Sequence, residues 1–104
     1  MACRCCNFVK ASSVTVVEPT DAEAYFQITV PADTTFTEGT WCIGLFTTIP
    51  NTIQCAAVQV TNGTDTYPIL VCDGNNWRPC QLRCRSVLHC RFLTDPEHLL
   101  IMRR

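Results

Sequence analysis

A chain of 104 residues, 47% hydrophobic and 16% charged, has the makings of one domain with a modest core, which argues against global disorder and several domains. Its formal net charge of −1 argues against a general nucleic-acid binder, and no run approaches the roughly 18 apolar residues of a membrane-crossing helix. Residues 1–10 lack the long apolar stretch of a secretory signal, so the protein is expected to start in the cytoplasm.

The first seven residues carry Cys3, Cys5 and Cys6 and read as a cysteine-rich arm ahead of a single β-domain over 8–104. From there almost every periodic stretch has period two, the repeat of an extended strand. Phe8 to Glu18 is rich in Val, Thr and Ser. Ala24 to Val30 sets Phe26, Ile28 and Val30 opposite Tyr25, Gln27 and Thr29. Thr40 to Thr47 sets Trp41, Ile43 and Leu45 against Cys42, Gly44 and Phe46. Cys55 to Thr61 and Thr66 to Val71 are two further strands. Asn62-Gly63-Thr64-Asp65 between them is a hairpin turn, because Asn and Gly accept the positive φ that a tight hairpin demands. The same Asn62-Gly63-Thr64 has the form of a glycosylation sequon, but without an export signal the turn reading is preferred.

Gln81 to Leu93 is the longest expected strand. It puts Leu82, Cys84, Ser86, Leu88, Cys90 and Phe92 on one face and Arg83, Arg85, Val87, His89 and Arg91 on the other. Leu99 to Met102 is a short last strand, and Asp95 to Leu100 holds the one helical candidate, a turn. Pro, Gly, Asn and Asp punctuate the chain at regular intervals. About seven short strands so spaced define an all-β fold, a small antiparallel β-sandwich or barrel.

Five of the nine acids, Glu18, Asp21, Glu23, Asp33 and Glu38, lie in the first forty residues. Six of the eight basic residues, Arg78, Arg83, Arg85, Arg91, Arg103 and Arg104, lie in the last third. Such a split lets a domain meet a copy of itself head to tail, although two solvated faces would give the same distribution.

Nine cysteines is a high and odd number. A disulfide framework would suit a secreted domain but leaves one thiol over. A zinc site could draw on Cys3, Cys5 or Cys6 with Cys80, Cys84, His89 or Cys90. However, only one C-x-x-C, Cys3 to Cys6, is present, where a structural zinc knuckle uses two. A redox C-x-x-C would need a βαβ context that is missing. The third reading makes Cys42, Cys55 and Cys72 small buried hydrophobes beside apolar strands, with Cys84 and Cys90 on the inward face of theirs. The Cys3/Cys5/Cys6 cluster is the candidate for metal capture or inter-subunit disulfides, set against an inert, frayed terminus.

Catalytic constellations are not evident. His89 and His98, the two histidines, belong to no nucleophile motif; His89 reads as a solvated or interface residue and His98 as a partner of the adjacent turn carboxylates. The carboxylates fall mostly in turns, and there is no phosphate loop or dinucleotide fingerprint. Trp41 is expected in the core. Trp77, on a loop beside Arg78, is either a binding anchor or a plug folded back on the domain.

Tyr67-Pro68-Ile69-Leu70, Asp73-Gly74-Asn75-Asn76, Arg78, Gln81 to Arg85 and Asp95 to Leu100, with the Cys3-Arg4-Cys5-Cys6 opening and Trp41 to Leu45, resemble small cysteine-bearing proteins of phages and prophages of gut Firmicutes. The resemblance implies a non-enzymatic virion structural role: a capsid decoration or auxiliary head protein, assembled in the host cytoplasm, commonly trimeric and bound to the major capsid protein or another virion component. Arginine suits such an interface, since its planar fork binds carboxylates bidentately. The expected contact residues are Arg83, Arg85 and Arg91, with Trp77 and Arg78. The alternative is a zinc-stabilised module binding nucleic acid or a host protein; an adhesin using Trp77, Asn75 and Asn76 is a third reading. No cofactor is expected unless zinc is bound.

Overall fold

The computed structural model describes residues 6–50, 55–79, 82–94 and 96–102. Eight strands form one curled sheet, a half-barrel, and the described residues contain no helix. The strands are β1 (Cys6–Lys10), β2 (Ser13–Val17), β3 (Tyr25–Thr29), β4 (Gly39–Leu45), β5 (Val58–Thr61), β6 (Thr66–Leu70), β7 (Ser86–Thr94) and β8 (Glu97–Ile101), in the order β1-β4-β7-β8-β6-β5-β3-β2.

The all-β expectation holds, but the sheet is mixed. β1–β4, β3–β5 and β6–β8 pair in parallel, and the other four contacts are antiparallel. Alternation gives a strand its two faces, not its direction, so the parallel pairs left no mark on the sequence. The expected strand Phe8 to Glu18 is two strands, which raises the count to eight and starts the sheet at Cys6, inside the expected arm. At the break, successive amides serve opposite ends of the sheet. The Ala11 N–H donates to the Gly44 carbonyl (2.9 Å) and the Ser12 N–H to the Thr29 carbonyl (2.6 Å). One bent segment therefore links the two outermost strands. β6 makes a second corner: Thr66 to Pro68 pair with β5, then Ile69 and Leu70 with β8. The curl thus has two walls, β1-β4-β7-β8 and β2-β3-β5, joined by β6 and by the bend after Lys10.

The core between the walls is built from the inward positions. Ile28, Ile43, Leu45, Val58, Val60, Ile69, Cys90 and Leu99 are fully buried. An aromatic cluster closes it: Phe36, from the β3–β4 connection, lies 4.6 Å from Trp41 and 5.6 Å from both Tyr67 and Phe92, ring centre to ring centre, and Tyr67 meets Phe92 edge-on at 5.0 Å. The Trp41 indole N–H donates to the Thr37 carbonyl at 2.8 Å, so burying the ring strands no donor. The β5–β6 turn forms as expected. Gly63 has φ +94°, and the Asn62 side-chain oxygen accepts the N–H groups of Thr64 (3.0 Å) and Asp65 (2.8 Å).

Several expectations need correction. The Gln81 to Leu93 strand begins only at Ser86. Arg85 takes a left-handed φ of +66° and its N–H donates to the Leu45 carbonyl (2.6 Å), while the Ser86 hydroxyl donates to the Arg83 carbonyl (2.6 Å). Arg83 and Arg85 therefore lie in a turn rather than on a strand face with Arg91, and Cys84 is exposed rather than inward. Alternating side chains fit a turn as readily as a strand; the φ of one residue decides between them. The helical candidate at 95–100 gives way to β8, whose Leu99 is sealed between Phe92 and Ile69. Cys55 and Cys72 are exposed, because β5 starts three residues after the first and β6 ends two before the second; of those three only Cys42 is buried.

Candidate interaction surface

The outer face of the β1-β4-β7 wall gathers groups that sequence spacing keeps far apart. With Trp41, Ile43 and Leu45 turned into the core, Cys42 and Gly44 face outward. The register extends this into rows: Phe8–Cys42–His89 and Lys10–Gly44–Val87, with Thr40 opposite Arg91 below them. Phe46 follows at the end of β4. Phe8 and Phe46 remain 58% and 44% exposed, and with Met102 they are the most exposed large hydrophobics described.

Gly44 is the floor of this patch. A Cβ there would lie 2.5 Å from Cε2 of Phe46 and 2.9 Å from Cζ of Phe8, so both rings rest on a backbone that only glycine leaves bare. Basic residues lie on the same wall and at its end. Lys10 is opposite Gly44 in the register, Arg91 is exposed on β7, and the turn carrying Arg83 and Arg85 is tied to Leu45, the residue before Phe46. None of the three strands contains an acid. Among the described residues the one ion pair lies elsewhere, between Arg78 and Glu23.

Cys42 and His89, facing each other across the ladder, bring Sγ and Nδ1 to 3.5 Å, a weak thiol–imidazole contact. Cys42 is buried beneath the wall surface, which suits packing rather than attack on a substrate. On the inner side, burial, with Cys42 as a smaller influence, pushes the Cys90 thiol up to about 12, so it stays protonated and inert.

The remaining site residues fall as follows. Arg78 reaches Oε1 of Glu23 (3.2 Å) and the Cys55 carbonyl (3.4 Å) over an open cleft of about 330 Å³ lined also by Tyr25, Gln59 and Asn76. With side chains 45% and 81% exposed, that pair contributes little to stability. Trp77 is half-buried against the core, and its backbone N–H donates to the Ile69 carbonyl (2.9 Å). His98 bonds the Pro96 carbonyl (2.7 Å) rather than a carboxylate. Cys3 and Cys5 lie outside the described residues, as do Cys80, Arg103 and Arg104; Cys6 contributes its backbone to β1. Of the suggested zinc ligands, Cys84 is in a turn, His89 is on the outer face and Cys90 is in the core. Among the described residues no three metal-ligating side chains converge.

Sequence reasoning missed Phe8, Lys10, Gly44 and Phe46 as surface-forming residues. The alternation of β4, with Trp41 expected in the core, put Cys42, Gly44 and Phe46 on the opposite face, but not beside Phe8 and Lys10. Compared with protein-family models, curated proteins and solved structures, the chain matches none.

Proposed function

We propose that this is a non-enzymatic structural protein of a phage virion, a capsid decoration or auxiliary head protein, that docks through the outer β1-β4-β7 wall. The observation that carries this reading is the exposed Phe8 and Phe46 pair on Gly44, with Lys10 and Arg91 on the same wall, Arg83 and Arg85 in the turn at its end, and no acid on the three strands. Exposed aromatics amid arginine make the usual anchors of a protein interface, and unpaired cations favour an acidic partner surface such as a capsid protein can present. The virion itself enters from the sequence resemblance, and the arginines act from two elements rather than one strand.

The test is a decoration assay with purified particles and a Phe8→Ser/Phe46→Ser variant whose thermal unfolding matches the wild type. Docking should be lost; particles still fully occupied by the variant would overturn the assignment of the surface. A second reading rests on the same rings, since exposed aromatics among cations also stack single-stranded bases. Salt-dependent binding of an oligothymidylate, lost in the double variant, would favour it.

A further inference from the structure

We infer that the outer wall receives a second copy of this chain, which enters with its acidic β2–β3 loop, so that the protein assembles head to tail. This rests on the proposal that the wall is the working surface: within the assembly a second copy takes it, and the wall left open at the assembly's end is the one that docks.

Each copy carries the two complementary halves of such a contact on different elements. The wall carries Lys10 and Arg91, and the turn at its end carries the exposed Arg83 and Arg85, none of the four in an ion pair among the described residues. The loop between β2 and β3, residues 18–24, presents Glu18, Asp21 and Glu23, all exposed, and Glu23 alone is engaged, by Arg78 at the surface. Pro19 and Ala22 lie between these acids and give the phenylalanine rings small apolar partners. Acid and base thus face each other with apolar atoms between them, the arrangement that fixes register and orientation in an encounter.

The geometry prevents a molecule from satisfying itself. The chain bends after Lys10, and β2 then runs along β3 with all five of its residues in register, Ser13 opposite Thr29 through Val17 opposite Tyr25. Five extended residues carry the loop about 17 Å beyond the bend. β2 is held by its ladder and cannot fold back over the wall it has left. The surfaces that cannot meet within one copy can meet between copies. Because they differ, the contact is heterologous: the assembly keeps one free wall at one end and one free loop at the other until a ring closes. A net charge of −1 leaves no strong mutual repulsion to oppose it.

The experiment is sedimentation velocity on the full chain under reducing conditions, at about 50 mM and about 500 mM salt. Two one-sided variants are used: Phe46→Asp, which disables the wall, and Glu18→Lys/Asp21→Lys, which disables the loop. Thermal unfolding checks that each is folded, with Phe46→Ser replacing Phe46→Asp if the latter is not. Wild type should assemble at low salt and dissociate at least tenfold more readily at high salt. Each variant alone should be monomeric, and an equal mixture should form a heterodimer and nothing larger, since one intact wall and one intact loop remain. A mixture that stays monomeric overturns the inference. So does a loop variant that still dimerises, because that contact would be wall to wall. A monomeric wild type that binds oligothymidylate through Phe46 assigns the wall to nucleic acid and overturns the virion reading as well. A monomer whose docking to particles is lost in the Phe8→Ser/Phe46→Ser variant overturns self-association alone.

Discussion

Gly44→Ala isolates the aromatic patch from the rest of the fold. Gly44 does not have a positive φ, so its backbone accepts alanine, and the three nearest neighbours of the new methyl are ring atoms: Cε2 of Phe46 at 2.5 Å, Cζ of Phe8 at 2.9 Å and Cδ2 of Phe46 at 3.0 Å. Relaxed carbon contacts lie at about 3.5–4.0 Å, so Phe46 must withdraw by about 1 Å and Phe8 by somewhat less. Both rings are half in solvent and can swing outward. If each uncovers on the order of 25 Å², the lost burial is about 0.6 kcal/mol per ring. Alanine returns about 0.4–1 kcal/mol by restricting the unfolded chain. The net change in stability should therefore lie within about 1 kcal/mol, or about 4–8 °C in Tm. Docking and self-association should weaken by tenfold or more, because the rings no longer present one surface. Calorimetry gives the first quantity and sedimentation the second. NMR contacts from the Gly44 α-protons to both rings in the wild type would establish the starting geometry directly. A loss above about 3 kcal/mol would mean that the rings brace the fold, and unchanged association would mean that they bind nothing; either refutes the reasoning.

Phe92→Ala removes the ring that joins Phe36 and Tyr67 in the core and should destabilise by about 3–5 kcal/mol, read as a fall in the urea midpoint; a loss under 1 kcal/mol would contradict this account of the core. Cys90 is held protonated in the fold, with its pKa raised from 9.0 to about 12, so its contribution is fully present below pH 9 and is lost as pH rises through 12. That is on the order of 4 kcal/mol at most, and Cys90→Ala should flatten the decline of Tm over this range. A thiol reagent at neutral pH should modify Cys72 and Cys84 in the folded protein and reach Cys90 only on unfolding, as peptide mapping would show. Arg85→Gly relieves a left-handed φ that costs an ordinary residue roughly 1–2 kcal/mol, offset in part by the freedom glycine adds to the unfolded chain. Tm should rise slightly while docking weakens; a fall of several degrees would show that the arginine side chain supports the turn.

How much was legible in the sequence differs from element to element. The β3 alternation gave its inward set, Phe26, Ile28 and Val30, and that of β7 gave Leu88, Cys90 and Phe92 inside with His89 and Arg91 outside. Asn62-Gly63 marked its turn because few residues accept positive φ. The same chemistry misled at Arg85, where an ordinary residue takes that conformation because its N–H completes a bond to the end of β4. The apolar thiols misled as well: Cys72 and Cys84 fell in turns, where hydrophobicity does not enforce burial.

By itself the sequence determined an all-β chain, because a two-residue period is a local property that each segment carries whatever its neighbours. It also determined the uneven placement of acids and bases along the chain. Only the tertiary structure decided the bend that splits β1 from β2 and the parallel pairings. It decided too that Phe8, Gly44 and Phe46 meet on a wall that also carries Lys10 and Arg91, with the turn of Arg83 and Arg85 at its end. Bulk and hydrophobicity marked Trp41, Ile43 and Leu45 for the core, but what gathers on the other face of β4 depends on which strands lie beside it, and those are relations between distant segments.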